Sequence, residues 1–367
     1  MKRFFIIFFV SFLVFQNSLF SNDAIYTQEK EIIGTIEIVP NYLIHLFIIG
    51  EVWKDNKKNN PEYHSKYSKY VIKEDIDYIR SNRNFIAWGT GQTGPLTSIL
   101  FFLPARITND KTEMEKYFHL VQDTFIKKEN FKHFNETYPE SAVPDGFIDD
   151  FWKVKDNFKN EFFKLSDIVL RNYDAYEKNV WPIERKKLED TARLLTEKFK
   201  GTRSIEKWEN HLKQKFPGDK FEIVLTTANL NAPSANNLGP TRYNFYYNPG
   251  HLDGLIDLIH HEIGTNLLEK SMNKLKSDIN LANKIKASGE NTSVIWRAFE
   301  SLAEFYKAKL FNTKRNVWKG VLFGGEKYYF NVFFEIYDKE YRKNPELSSL
   351  EMMRKGVESF LEWKQKQ

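Results

Sequence analysis

The segment LDGLIDLIHHEIGTNLLEKSMN, from Leu252 to Asn273, decides the organisation of the C-terminal half of this chain. Its apolar residues recur at helical spacing and form one stripe, made of Leu252, Leu255, Ile256, Ile259 and Ile263. At about 100° per residue, His261 falls roughly on the opposite side of that stripe. The segment is therefore predicted to be a helix with one side in the core and His261 facing a cleft.

A second helix is predicted from Ser293 to Phe311, with the sequence SVIWRAFESLAEFYKAKLF. Glu300 and Glu304 are four residues apart and share one face of this helix. Ala303 lies between them, and its small side chain lets a neighbouring helix approach closely. We expect this helix to lie beside the first, with Glu300 close to His261.

The rest of the chain is predicted to be mainly α with a small β-sheet, an α+β fold. Helical periodicity marks six further segments, which are Glu74 to Asn82, Lys111 to Lys127, Asp145 to Tyr173, Ala175 to Lys200, Ser204 to Phe216 and Ser348 to Lys366. Pro182 is expected to divide the fourth of these into two helices. A buried strand or helix pair is predicted from Ile32 to Gly50.

Two strands are predicted just before the histidine helix, from Phe221 to Thr227 and from Arg242 to Asn248, because both are rich in β-branched or aromatic residues. The Asn, Pro, Ser and Gly content of Asn229 to Pro240 predicts a loop between them. The best division of the chain falls near residue 200. It separates a helical region, 22–200, from a region that holds the candidate site, 201–367.

The N-terminus has the pattern of a secretory signal peptide. Lys2 and Arg3 precede an apolar run from Phe4 to Phe15, and small and polar residues follow up to Ser21. Residues 1–21 are predicted to be removed, which leaves an exported periplasmic or extracellular protein without an integral membrane segment. An uncleaved anchor is the alternative.

Composition limits the chemistry. The chain has no cysteine, so a metal ion would be held by His, Asp or Glu. Its formal net charge is +5, with Lys and Glu interspersed, which does not indicate nucleic acid as a partner.

The residues around His261 suggest a zinc peptidase site with one departure. A catalytic zinc takes three protein ligands and a water molecule, and a glutamate after the first histidine is the general base in the common H-E-x-x-H pattern. His261 and Glu262 fit these two positions, and Glu300 fits a glutamate ligand. Glu304 would orient His261 from the second shell. Thr265, however, stands where that pattern places the second histidine.

The motif HEIGTN, from His261 to Asn266, resembles the HEIGTH motif of the tyrosine carboxypeptidase family that detyrosinates microtubules, and of its bacterial relatives. ESLA, beginning at Glu300, resembles their EGLA motif. The resemblance implies a zinc-peptidase-like active-site helix and glutamate helix beside a short sheet, with His261 and Glu300 as zinc ligands and Glu262 as the base. It also implies a peptide or protein substrate. Asn266 stands at the position of the second histidine ligand, and an amide oxygen is a poor zinc ligand.

The spacing of five residues between His261 and Asn266 does not place both side chains on one face of a regular helix. In a straight helix, position 266 lies about 140° from His261, so a bulge is needed, and Gly264 is its predicted place. His260 or His251 is a possible replacement ligand.

Three functions remain open at this point. In the first, the chain is an exported zinc metallopeptidase that hydrolyses peptides, and the strand from Arg242 to Asn248 aligns the substrate by strand addition. Alternatively, it is a catalytically inactive peptidase-fold protein that binds partners or supports the cell envelope. The third is a helical protein in which His261 and Glu300 are more than ~8 Å apart, too far to share one ion.

Overall fold

The computed structural model describes residues 29–52, 56–86, 98–139, 145–157, 159–227, 234–239, 241–246, 252–312 and 329–367. Within these residues the chain is mainly α-helical with one small β-sheet, which confirms the predicted fold class. The predicted signal segment, 1–21, and His251 lie outside the described residues. The proposed division near residue 200 stays a prediction.

Most helices of the N-terminal half are short. They are α1 (Ile38–Ile49), α2 (Asn56–Asn59), α3 (Pro61–Tyr67), α4 (Lys73–Ser81), α5 (Arg83–Ile86), α6 (Leu103–Ile107), α7 (Lys111–Ile126), α8 (Asn130–Thr137), α9 (Asp145–Val154), α10 (Lys159–Asn179) and α11 (Trp181–Phe199). One π-helical segment, Ser98–Phe102, and 3₁₀ turns at Ser68–Tyr70 and Lys155–Asn157 connect some of them.

Two helix predictions in this half have different outcomes. Pro182 lies in the first turn of α11, where its missing N–H has no helical acceptor to lose, and α10 ends just before it. The predicted division is therefore confirmed. The single helix predicted from Asp145 to Tyr173 is wrong, because a 3₁₀ turn at Lys155–Asn157 separates α9 from α10.

The sheet contains β1 (Glu31–Ile36), β2 (Lys220–Thr226), β3 (Ser234–Gly239) and β4 (Arg242–Tyr246), in the spatial order β1-β2-β4-β3. The first three strands in that order run parallel, and β3 is antiparallel to β4. The segment from Ile32 to Gly50 is thus a strand followed by a buried helix, α1.

Strand β3 corrects two expectations. The loop predicted from Asn229 to Pro240 contains this strand, whose sequence SANNLG is poor in strand formers and is held by pairing with β4. As a consequence β4 is an interior strand with partners on both sides. The predicted addition of a substrate strand to β4 is therefore wrong, because no free backbone edge remains there.

The helices of the C-terminal half surround the candidate site. They are α12 (Ser204–Leu212), α13 (Leu252–Lys276), α14 (Ile279–Ala287), α15 (Ser293–Phe311), α16 (Phe330–Lys343) and α17 (Ser349–Gln365). The helix α12 is shorter than predicted because Lys213 takes a left-handed conformation, with φ of 53°. Ser348 and Glu351 form a capping box at the start of α17.

Two buried clusters form the core. The first is rich in aromatic side chains and is centred on α1, α7 and α10. The second joins the sheet to α11 and to the helices α12 to α17. No helix among the described residues is both long and apolar enough to cross a membrane. The candidate site lies in the second cluster, where α13 packs against α15.

Candidate functional site

The helices α13 and α15 bring His261 and Glu300 together. The Nε2 atom of His261 lies 3.0 Å from Oε2 of Glu300, and its Nδ1 atom lies 3.3 Å from Oε2 of Glu304. The close approach of the helices is possible because Ala303 and Ser301 on α15 are small and buried. This geometry rules out the third alternative, in which His261 and Glu300 lie more than ~8 Å apart.

The two glutamates decide the protonation of His261. Burial by itself lowers the pKa of this imidazole, but the hydrogen bonds to Glu300 and Glu304, with the negative charges of Glu300 and Glu262, raise it to about 10. A carboxylate only accepts hydrogen bonds, so an imidazole that faces one carboxylate at each nitrogen is best satisfied when both nitrogens carry a proton. In the absence of a metal ion, the site thus holds an imidazolium between two carboxylates.

Glu262 lies on another side of α13. Its side chain is half-buried, and the hydroxyl of Thr265 donates a hydrogen bond of 2.9 Å to Oε2. Burial raises the pKa of this carboxyl to about 7; the positive charge of His261 and the Thr265 hydrogen bond oppose the rise, and the charge of Glu300 adds to it. A carboxyl with a pKa near neutrality is suited to general acid–base chemistry.

Asn266, at the position of the missing histidine, faces the sheet. Its side chain and that of Thr265 are hydrogen-bonded with the hydroxyl of Tyr243 on β4. Burial, with the charge of Glu262 adding to it, raises the pKa of that hydroxyl. Residue 266 is therefore part of a polar contact between α13 and β4, whereas His261 faces α15.

The bulge predicted at Gly264 is absent, because α13 is a continuous α-helix from Leu252 to Lys276. Gly264 has a different reason to be glycine. A Cβ atom at this position would lie 2.5 Å from two ring carbons of Trp208, so the indole occupies the space of a side chain. Without a bulge, residues 261 and 266 stay about 140° apart around the helix.

His260 is excluded as the replacement ligand. Its Nε2 atom lies 3.1 Å from the hydroxyl of Ser204, and its ring stacks on Phe311 with centroids 3.8 Å apart. Burial lowers the pKa of His260 to about 4, and the nearby charge of Asp257 opposes this fall. His260 thus belongs to an apolar contact with α12 and the end of α15. His251, the other candidate, lies outside the described residues.

Sequence reasoning missed Lys307. This residue on α15 is fully buried, and its ammonium lies 2.8 Å from Glu304 and 2.7 Å from Asp257 on α13. The charges form a chain from Glu300 through His261, Glu304 and Lys307 to Asp257. The spacing of three residues between Glu304 and Lys307 was a visible signal, since such pairs share a helix face. The partner on α13, 50 residues away, had no signal in the sequence.

A catalytic zinc ion requires three protein ligands. His261 and Glu300 have the mutual distance of two neighbouring ligands on one ion, since atoms ~2 Å from a tetrahedral centre lie ~3.3 Å apart. No group of three or more His, Cys, Asp or Glu side chains placed to hold a metal ion exists in the described part of the chain. Asn266, the remaining candidate, is engaged with Tyr243. The described residues thus supply two of the three ligands and do not complete the site.

The chain was also compared with models of protein families, with curated proteins and with solved structures, and none of the three comparisons found a match.

Proposed function

We propose that this chain is an exported zinc-peptidase-like protein that does not hydrolyse peptides and acts as a binding or structural protein of the cell envelope. One observation carries the proposal. Asn266, at the position of the second histidine ligand, contacts Tyr243 of β4 and lies about 140° around the continuous helix α13 from His261. In place of a third ligand, the site contains His261 between two carboxylates, with a strong preference for the proton.

His261 and Glu304 have a role in this proposal that does not need zinc. The charge chain through His261, Glu304 and Lys307 joins α13 to α15. Removing one member of a buried ionic network leaves its partners with an uncompensated charge, which is strongly destabilising. The network therefore contributes to the stability of the fold without a metal ion.

A second candidate, a metal-dependent peptidase, is favoured by one distance. Nε2 of His261 and Oε2 of Glu300 are 3.0 Å apart, close to the separation of two ligands on one zinc ion. In that function His261 and Glu300 would hold zinc, Glu304 would orient His261, and Glu262 would be the base. Zinc would supply a bound water of lowered pKa. The third ligand would have to come from outside the described residues.

The zinc content of the purified chain separates the two functions. We would dialyse the parent protein against a weak chelator and measure zinc by elemental mass spectrometry. The proposal expects far less than one zinc per chain. Near-stoichiometric zinc that disappears in His261→Ala would overturn it and establish the second candidate, for which Glu262→Gln should then abolish peptide hydrolysis.

Two gain-of-ligand variants sharpen this experiment. Asn266→His restores the spacing of the resembling family, but its side chain begins about 140° around the helix from His261. Thr265→His places a second imidazole four residues from His261, within ~40° of the same face of a straight helix. We expect Thr265→His to acquire zinc more readily than Asn266→His, and the gain to vanish when His261→Ala is added. Failure of both variants to acquire zinc would contradict the view that His261 and Glu300 are two thirds of a metal site.

A further inference from the structure

A cavity of about 310 Å³ lies between α12 and the first turns of α13 and is lined by His260 rather than His261. Phe311, the last residue of α15, contributes to its lining, as do Ser204 and Ile256. Its volume is at the lower end of the range of about 300–1,000 Å³ in which proteins bind small molecules. The cavity is therefore of a size for a small metabolite.

One part of the cavity lining is fixed in position. The ring of His260 is stacked on Phe311 with an interplanar angle of 6°, and it meets the edge of Phe199 at a centroid distance of 5.2 Å. Ser204, which is only 1% exposed, holds Nε2 of His260 by a hydrogen bond of 3.1 Å. The stacked pair and Ile256 offer apolar contacts to a bound molecule, and the packing keeps them in place.

The cavity also carries opposite charges that do not neutralise one another. Lys207 of α12 and Asp253 of α13 both line it and are both exposed. Neither forms an ion pair with any residue in the described ranges, and the ammonium of Lys207 lies 5.6 Å from the ring centre of Phe311. Asp257, the other carboxylate in the lining, is occupied by the buried Lys307.

We propose that this cavity binds a small zwitterion, namely a free amino acid with an apolar side chain. Its carboxylate pairs with Lys207, its ammonium pairs with Asp253, and its side chain lies against Ile256 and the stacked His260–Phe311 pair. A molecule that carries both charges pairs with two side chains of the lining that do not pair with each other. The terminus of a longer peptide brings only one of the two charges to the same place.

This proposal does not depend on the function proposed above. Neither His261 nor Glu300 lines the cavity. Loss of zinc, or its gain in the variants described above, leaves the cavity residues unchanged, so the two proposals fail separately.

The test is calorimetric titration of the purified chain with L-leucine. We expect a dissociation constant on the order of 0.1–1 mM, because two exposed ion pairs and a small apolar contact support only modest affinity. The matched probes are N-acetyl-L-leucine, which lacks the ammonium, and L-leucinamide, which lacks the carboxylate. Each should bind up to about fivefold more weakly than leucine, and glycine, which lacks the side chain, should also bind more weakly.

Variants of the charged residues locate the site. Lys207→Gln and Asp253→Asn should each weaken leucine binding by up to about fivefold. In Lys207→Gln, leucine should also lose its advantage over leucinamide. Lys213→Gln is the matched control, because Lys213 is exposed, follows the end of the same helix and does not line the cavity. This variant should bind leucine as the parent does.

Three results would overturn the proposal. The first is no leucine binding at concentrations up to about 10 mM, far above the expected dissociation constant. The second is parent-like affinity in both Lys207→Gln and Asp253→Asn. The third is tighter binding of N-acetyl-L-leucine or of a leucine-terminated peptide than of leucine, which would assign the cavity to a peptide carboxyl terminus.

Discussion

His260 and His261 are neighbours in the sequence, yet their pKa values are shifted in opposite directions on the two sides of α13. The pKa of His261, which faces Glu300 and Glu304, is raised to about 10. The pKa of His260, which stacks on Phe311, is lowered to about 4. Burial lowers the pKa of both imidazoles. The carboxylates outweigh burial at His261, whereas the charges of Lys307 and Lys207 add to it at His260.

The contrast shows that the helices packed against α13 define its sites as much as its own motif does. The carboxylates around His261 come from α15, and the rings around His260 come from α11 and the end of α15. A motif that reads His-His-Glu therefore contains one charged and one apolar site. The sequence pattern alone does not tell which histidine belongs to which.

The largest effect is expected from breaking the charged side at Lys307. Lys307→Met leaves the buried Glu304 and the half-buried Asp257 without their shared cation, and such a loss costs about 3–5 kcal/mol of unfolding free energy. Urea unfolding of the parent and the variant measures it. The matched control is Lys309→Met on the same helix, where an exposed lysine pairs with Asp338 at 3.3 Å. That change should cost about 0–1 kcal/mol, and equal losses in the two variants would show that the buried chain contributes nothing special.

The pH dependence of stability should separate the two histidines in chelator-treated protein. The folded-state pKa of His261 lies above its ordinary value near 6.5, so its contribution is complete below pH ~6.5 and is lost as the pH rises toward 10. The folded-state pKa of His260 is depressed, so its contribution is present above pH ~6.5 and is lost as the pH falls toward 4. Over its full range the change is about 5 kcal/mol for His261 and about 3 kcal/mol for His260.

The raised pKa of Glu262, about 7, also lowers the stability of the protein as the pH rises. The contribution of each histidine is therefore taken as the difference in unfolding free energy between the parent and the histidine variant at each pH. Unfolding free energies would be measured from pH 4 to 10 in the parent, His261→Gln and His260→Gln. The first variant should remove the decline on the alkaline side, and the second should remove the decline on the acid side. Identical profiles for the two variants would contradict the opposite surroundings.

The charged side of α13 was partly predictable from the sequence. Helical spacing placed Glu300 and Glu304 on one face of their helix. The prediction that His261 faces a cleft is wrong, because its side chain is buried against α15. The structure brings all three together. Lys307 was missed because its second partner, Asp257, is on another helix, and the relative position of two helices is a property of packing that no local pattern contains.

The side of α13 that faces the sheet was not predictable. The contact of Asn266 with Tyr243 depends on how β4 lies over the helix, and β4 is held by β3, a strand that the composition of SANNLG conceals. Gly264 was given the wrong role for a similar reason. A glycine in a helix suggests a local distortion, whereas the space it leaves is filled by Trp208 from a distant segment.

The smallest of these effects concerns that packing of Trp208 at Gly264. Trp208 is fully buried, and its indole N–H donates a hydrogen bond of 3.0 Å to the carbonyl oxygen of His260. Gly264→Ala forces the indole to shift, and such overpacking costs about 1–3 kcal/mol, more than the ~1 kcal/mol that alanine gains in helix propensity. Gly254→Ala, at an exposed position of the same helix, is the matched control and should be neutral or stabilising by up to ~1 kcal/mol.

Histidine NMR titration of Gly264→Ala tests whether His260 and His261 respond separately to the change. Trp208 also lies against Phe311, whose ring stacks on the imidazole of His260. A displaced Trp208 should disturb that stack, so the pKa of His260 should move in Gly264→Ala. The pKa of His261 should stay near its parent value because its carboxylate partners are on α15. If the pKa values of both histidines shift, α13 moves as a rigid helix in the variant. The surroundings of His260 and His261 would then be less independent than their contacts indicate.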